Sequence, residues 1–353
     1  MKINRISSLL FLPWTITFGL QCAATSEAFL RSSSLQYGSP LGMGRKNQLE
    51  TTKKLTVQRM QPSHLNRGEL NESGSALHGF SDDNNSGAVE ANNRKQVTLR
   101  ELLAEVIGTF LIVQIGTGAV MSALYTNSLM GLFQIASVWI IAVTVAICTT
   151  ASISGAHLNP AISVAFAAIR PSENFTWRKV IPYSAAQLLG AVLGSATNLI
   201  LYGSLISTFE ASNGIVRASR SGIASAKAFG EYFGAPVSMG VAFLAETIGT
   251  AILSFVIFSL TNEKNDGVKD SFIPPMIGLT VGALIAVLAP LTQAGFNPAR
   301  DFGPRIVAWC AGWKTVAFTG WWVYIFGPIV GALVGAYVAD KILYPDSLKH
   351  QNR

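Results

Sequence analysis

Long runs of apolar residues separated by short polar loops dominate the chain from residue 98 onward. Stretches long enough to cross a bilayer, about 20 residues each, fall at roughly 102–124, 131–150, 180–205, 238–260, 272–291 and 321–340. The pattern predicts six membrane-spanning helices. Two further apolar segments, 160–169 and 298–309, are about half as long, and at 1.5 Å per residue neither crosses a bilayer as a helix. Each is expected to enter the membrane and turn back. Both open on Asn-Pro-Ala (Asn159, Pro160, Ala161 and Asn297, Pro298, Ala299). Asn is a good helix N-cap, and Pro suits the first helical position because its missing N–H has no partner there.

The pattern repeats. Ala104-Glu105-Val106-Ile107-Gly108-Thr109 near the start of the first span returns 141 residues later as Ala245-Glu246-Thr247-Ile248-Gly249-Thr250, and the Asn-Pro-Ala returns after 138. One long element has therefore been duplicated with almost fixed internal spacing. Three spans per copy set the copies in opposite orientations, and inverted repeats place a site at their interface near the midplane. The two half-helices then meet with their positive N-termini facing. Each Asn amide can cap its own helix and offer an N–H to a passing oxygen.

Composition agrees with a membrane protein: half of the 353 residues are apolar, only 13% are charged, and the mean hydropathy is positive. The formal charge of +7 is spread over the amino-terminal extension and the short loops rather than gathered into one basic patch, which excludes a nucleic-acid partner. Basic residues before the first span (Arg94, Lys95, Arg100), after the second (Arg170, Arg178, Lys179), after the fourth (Lys264, Lys269) and after the sixth (Lys341, Lys349) assign those segments to the cytosol-equivalent side. Arg217, Arg220 and Lys227 in the long third loop break the rule. Cys22, Cys148 and Cys310 lack paired or metal-ligand spacing and are expected to be buried free thiols. No phosphate loop, metal-ligand cluster or nucleophile–base arrangement is found. The chain reads as no enzyme, with no catalytic residue, cofactor or metal.

Residues 1–28 carry a basic start, an apolar run and a small-residue site at Ser26-Glu27-Ala28, the grammar of a signal peptide. Residues 29–97 read as a transit-like segment followed by a solvated linker: between Phe29 and Gly68 seven basic residues face the single acidic Glu50, and Asp82-Asp83-Asn84-Asn85 marks the linker. The arrangement, with Phe29 at the cleavage point, resembles the bipartite targeting sequences of algae whose plastids have extra membranes. A cleaved signal with a disordered tail, or a signal anchor forming a seventh span, stays open, as does residence in the plasma membrane or another endomembrane. The channel domain is expected at 98–345, with a tail at 346–353.

Glu105 and Glu246 are carboxylates in apolar surroundings, costly unless partnered; Gln187 in the third span is either polar support for them or a helix-contact residue. Arg300, directly after the second Asn-Pro-Ala, cannot lose its proton. At an effective dielectric near 20, a monovalent cation about 4 Å from it meets roughly 4 kcal/mol of repulsion. Uncharged solutes escape that cost.

Ser154-Gly155-Ala156-His157-Leu158-Asn159-Pro160-Ala161 and Gly295-Phe296-Asn297-Pro298-Ala299-Arg300-Asp301-Phe302-Gly303-Pro304 resemble the two signature loops of the major intrinsic proteins, over roughly residues 98–345. The resemblance implies an all-α membrane protein of the aquaporin fold, with six transmembrane helices, two re-entrant half-helices and an inverted 3+3 repeat, assembling as a homotetramer in the lipid bilayer. It implies that Glu105 and Glu246 brace the loops, that Gly155, Ala156, His157, Gly295 and Phe296 line the pore through their backbone, and that Trp139, Ile285, Ala294 and Arg300 form the constriction. Asp301 and Arg305 match the glycerol-conducting pattern, as does Trp139, twenty residues before Asn159. Ala294 stands where the bacterial glycerol facilitator has Phe, Ile285 where it has Gly, and Tyr324-Ile325 where that branch has Pro-Leu. The Trp, Ile, Ala and Arg set is similar to the filter of plant nodulin-26-like channels.

The expected function is passive passage of small uncharged solutes, glycerol and other small polyols and water, with protons and ions excluded. Urea, ammonia and undissociated metalloid acids stay open as permeants. The alternatives are a water-selective pore, against which Ile285 stands where such members usually have His, and a coupled transporter using Glu105 or Glu246.

Overall fold

The computed structural model describes residues 97–129 and 131–345. The signal peptide and transit-like segment expected before Val97, Cys22 and the tail at 346–353 lie outside the described residues. Every regular element among the described residues is helical; besides short helical turns, the longer helices are α1 Leu99–Thr126, α2 Leu132–Ser154, α3 Pro160–Ile169, α4 Trp177–Ser212, α5 Met239–Leu260, α6 Ile273–Thr292, α7 Pro298–Ala308 and α8 Val323–Tyr337. Six helices are long and apolar enough to cross a membrane, α1, α2, α4, α5, α6 with the turn from Asp270 before it, and α8 with its continuation to Leu343; α3 and α7 are the half-helices. α1 begins at a reciprocal cap in which Thr98 Oγ1 accepts from the Glu101 N–H and Glu101 Oε2 accepts from the Thr98 N–H at 2.7 Å.

The repeat in sequence is a repeat in packing. α1 lies along α4 and α5 lies along α8, while α3 of the first copy packs against α8 of the second and α7 against α4. The half-helices thus interlock the two copies. Close approach in each pair comes from Gly-x-x-x-Gly at matched positions, Gly190 and Gly194 on α4, Gly331 and Gly335 on α8. A Cβ at Gly190 would lie 2.3 Å from the Val106 carbonyl oxygen, and one at Gly331 would lie 2.2 Å from that of Thr247. In lipid, helices associate through such packing because the solvent is as apolar as the side chains.

The outer faces carry large apolar side chains, with Phe133, Ile181 and Ile200 between 73% and 81% exposed, as lipid contact requires. This corrects the expectation for two cysteines: Cys148 and Cys310 are exposed rather than buried. In a membrane protein an apolar segment presents apolar residues outward as well as inward, so an apolar neighbourhood in sequence does not specify the interior.

The basic residues of two loops are absorbed into the fold. Arg170 forms an ion pair with Asp340 (Nε to Oδ2 at 2.7 Å), donates to the Thr261 carbonyl at 3.1 Å and stacks 4.6 Å from the Phe258 ring centroid. Arg217, one of those that broke the charge rule, pairs with Glu210 at 2.9 Å, donates to the Ala311 carbonyl at 2.8 Å and lies 4.2 Å over Trp313. Its position reflects a clamp between the third loop and the segment after α7, so it carries no topological signal.

The matched glycines generate a prediction. Gly190→Val and Gly331→Val should each destabilise the folded protein by about 1–3 kcal/mol, the usual cost of overpacking. Thermal unfolding in detergent should show both midpoints lowered, whereas Val at Gly203, where a Cβ meets nothing within 4 Å, should leave the midpoint close to that of the parent.

A candidate pore and its constriction

Two short loops, Gly155–Leu158 and Gln293–Phe296, lead into the half-helices. Three of four residues in each have positive φ: Gly155 at 82°, Ala156 at 50° and Leu158 at 52° in the first, Gln293 at 64°, Ala294 at 64° and Phe296 at 53° in the second. Non-glycine residues in this region carry roughly 1–2 kcal/mol each, so the loops need an external brace. Glu105 supplies the first, accepting from the backbone N–H of His157 at 3.0 Å and Leu158 at 2.7 Å, from Ser154 Oγ at 2.6 Å and from Gln187 Nε2 at 2.7 Å. Glu246 supplies the second, accepting from Gly295 N–H at 3.1 Å and Phe296 N–H at 2.8 Å and bonding the Thr292 hydroxyl. Gln187 is thus polar support, the first of the two readings open to it.

The glycine of the repeated Ala-Glu-x-Ile-Gly-Thr has its own reason. A Cβ at Gly108 would lie 2.4 Å from the Leu158 side chain, and one at Gly249 would lie 2.1 Å from the Phe296 ring. Within one helical turn, the carboxylate holds the loop backbone and the glycine seats the side chain before the Asn. A further matched pair escaped the sequence reading: Tyr183 and Tyr324, 141 residues apart, donate to the carbonyls of Ser154 and Thr292, each at 3.1 Å. Tyr324, one of the departures noted above, completes the second brace.

At the centre the half-helices meet reciprocally. Asn159 Oδ1 caps its own helix by accepting from Ala161 N–H at 2.9 Å, while its Nδ2 donates to the Phe296 carbonyl at 2.9 Å. Asn297 Oδ1 accepts from Ala299 N–H at 3.0 Å and its Nδ2 donates to the Leu158 carbonyl at 2.7 Å. Each Nδ2 carries a second N–H. The His157 ring is packed between Phe166 and Phe175, with Nδ1 3.2 Å from Ser163 Oγ, so its side chain stiffens the loop.

A cavity of about 290 Å³ runs from Thr261, Asp270 and Ile273 past Gly155–Asn159 and Gly295–Asn297 to Arg300. A second, of about 230 Å³, begins there and continues past Glu231, Ala289, Pro290 and Gln293. Four residues line both: Trp139, Ile285, Ala294 and Arg300. They form the boundary between the two spaces. Trp139 rests on Gly116, where a Cβ would come within 2.6 Å of the indole, and the Arg300 guanidinium carbon lies 4.6 Å from the Trp139 ring centroid.

The sequence named no partner for Arg300, and the structure supplies one. Glu231 Oε1 contacts Arg300 Nη2, with both side chains buried, and the Phe229 carbonyl lies 3.5 Å from Nη1. The loop carrying Glu231 is held by Asp301, which accepts the Glu231 N–H at 2.7 Å and pairs with Arg305 Nε at 2.7 Å; Arg305 in turn donates to the Glu231 carbonyl. Burial pushes the Glu231 carboxyl up, to about 8, against the opposing pull of the Arg300 guanidinium. One signal was available in the sequence: Glu231 is the only acidic residue between Glu210 and Glu246, in a loop with three basic ones.

Residues 92–339 match the family described as major intrinsic protein. The chain is similar to the glycerol uptake facilitator protein of Pseudomonas aeruginosa, 40% identical over 242 residues that cover 67% of this chain and 86% of the relative. It is 39% identical to that of Escherichia coli K12 over 252 residues, 69% and 88% of the two chains, and 39% identical to the propanediol uptake facilitator of Citrobacter freundii over 247 residues, 67% and 90%. Among solved structures, the X-ray structure of the aquaglyceroporin from Plasmodium falciparum superposes with a TM-score of 0.60 at 30% identity, covering 69% of this chain and 96% of that one. With six membrane-length helices and this likeness along the whole repeat, the chain is a multi-pass integral membrane protein and belongs to the major intrinsic protein family.

Proposed function

We propose that the chain is a passive channel for small uncharged solutes, with glycerol and similar polyols as its principal permeants beside water. The observation that carries this reading is the boundary shared by the two cavities. One side of it, Trp139 and Ile285, is apolar; the other offers the Arg300 donors. A polyol has carbon on one edge and hydroxyls on the other and matches both walls, and the printed names of the relatives, glycerol and propanediol facilitators, favour the same class. Along the wider space, Ile112, Val143, Ile147, Leu253 and Ile277 form an apolar wall. Opposite it the loop backbones and the remaining amide hydrogens of Asn159 and Asn297 replace the water a solute sheds. Uncharged solutes lose little at such a site; ions lose their hydration.

Glu105 and Glu246 have the bonds of braces rather than of proton carriers, which favours a channel over a coupled transporter. The chain is read as no enzyme on the same ground: the site is a passage of braced loops and apolar wall. Assembly as a homotetramer follows from the family resemblance, and the exposed apolar helix faces suit both lipid and neighbouring copies. Residence in a plastid-associated membrane is supported by the Ser26-Glu27-Ala28-Phe29 junction and the basic segment after it.

Three outcomes are expected. In proteoliposomes followed by stopped-flow light scattering, the wild type should pass glycerol, and Ile285→His should lower the glycerol-to-water permeability ratio roughly tenfold, in the range a single pocket contact commands; passage of water alone by the wild type would leave the water-selective alternative. Gly116→Ala should push the Trp139 indole toward the passage and reduce glycerol flux more than water flux in the same assay. A fluorescent protein fused behind residues 1–97 should enter plastids in an alga with extra plastid membranes, and its appearance at the cell surface would refute the targeting assignment.

A further inference from the structure

We propose that Glu231 is the residue that closes this passage to anions, by balancing the charge of Arg300 at the boundary between the two cavities. The inference rests on the channel reading above. Apart from Asp270 at the far end of the larger cavity, the fixed charges along the passage are otherwise of one sign: Arg300 sits on the first turn of α7, and the N-termini of α3 and α7 face each other at Asn159 and Asn297. Positive helix ends and a guanidinium repel cations, but the same field invites anions. A neutral-solute channel built this way needs a negative charge at the narrowest place.

Glu231 is in position to supply it. Its carboxylate contacts Arg300 Nη2, and it lines the outer cavity beside the four boundary residues. Nearby carboxylates are otherwise engaged: Asp301 holds Arg305 and the Glu231 N–H, and Glu246 holds the loop at Gly295 and Phe296. Glu231 is also fixed through its backbone at both ends, by Asp301 and Arg305, so the carboxylate does not depend on a flexible loop for its place. A guanidinium paired in this way remains a hydrogen-bond donor to an uncharged solute while, wherever the carboxyl is ionised, the pair carries no net charge.

The test uses planar bilayers under a potassium chloride gradient at about pH 9, above the value of about 8 to which burial pushes this carboxyl. Osmotic water flow above that of empty vesicles reports an inserted pore. Wild type and Glu231→Asp should carry no current. Glu231→Gln should pass chloride over potassium, at least tenfold above wild-type leak, equivalent to about 1.4 kcal/mol; Glu231→Gln with Arg300→Gln should be closed again, because both charges are gone. A chloride-tight Glu231→Gln pore that conducts water overturns the proposal. So does a leak that fails to choose between chloride and potassium and persists in the double variant, since that is a structural breach. If Glu231→Gln does not insert, Arg300→Gln decides: the unbalanced carboxylate should give a potassium-preferring leak, and an anion-preferring leak or none overturns the assignment. Absence of glycerol flux in the wild type would fall on the function proposed above and leave the charge test standing.

Discussion

Everything in the passage depends on two buried carboxylates holding backbone that would not otherwise keep its shape. The loops before Asn159 and Asn297 place three of four residues each in the left-handed region, a conformation that helix and strand bonding cannot stabilise. Glu105 and Glu246 fix it by accepting two loop N–H groups apiece. Since an unpaired carboxylate in this setting would be strongly unfavourable, carboxylate and loop stabilise each other, and neither is expected to persist alone. The reciprocal bonds between each Asn amide and the opposite loop carbonyl then join two locally braced structures into one centre. The polar line of the passage follows from this, because the amides and carbonyls of the loops are held where helices would have hidden them.

The two copies share the brace and differ in charge. Glu105 matches Glu246, Gly108 matches Gly249, Ser154 matches Thr292 and Tyr183 matches Tyr324, each pair making the same kind of contact. In the half-helices the match ends: at the 138-residue offset, Ile162, Ser163 and Ala167 of α3 correspond to Arg300, Asp301 and Arg305 of α7. The first half-helix buries uncharged residues there, with Ser163 bonded to Gln187 and His157, whereas the second carries an ionic chain running Arg305, Asp301, the Glu231 backbone, the Glu231 carboxylate and Arg300. Duplication accounts for the scaffold, and the charged residues of the second half-helix are where the two copies diverge.

The spans and the inverted repeat were legible because periodicity and length in lipid leave few alternatives. The half-helices were legible too, since an apolar segment of ten residues opening on Asn-Pro has little else to be. The braces were half legible: buried glutamates announced a need for partners and Gln187 stood as one candidate, while only the fold supplied Ser154 beside Glu105 and the tyrosines that bond the carbonyls of Ser154 and Thr292. Glu231 was missed for a physical reason. It sits in an aperiodic loop, and its place is set by Asp301 and Arg305, about 70 residues away in the chain. The thiols of Cys148 and Cys310 were misplaced because hydropathy reports distance from water, and in a bilayer the lipid face satisfies it as well as the interior does.

Size and charge at the boundary come from different parts of the molecule. Width is set by what lies behind the walls: Trp139 can lie back because position 116 is glycine, and Ala294 leaves room where the glycerol facilitator has Phe. Charge is set from the third loop, through a pair formed with a residue of α7. The two walls touch, since the Arg300 guanidinium carbon lies 4.6 Å from the Trp139 ring centroid, so a shift of the indole is felt on the charged side as well.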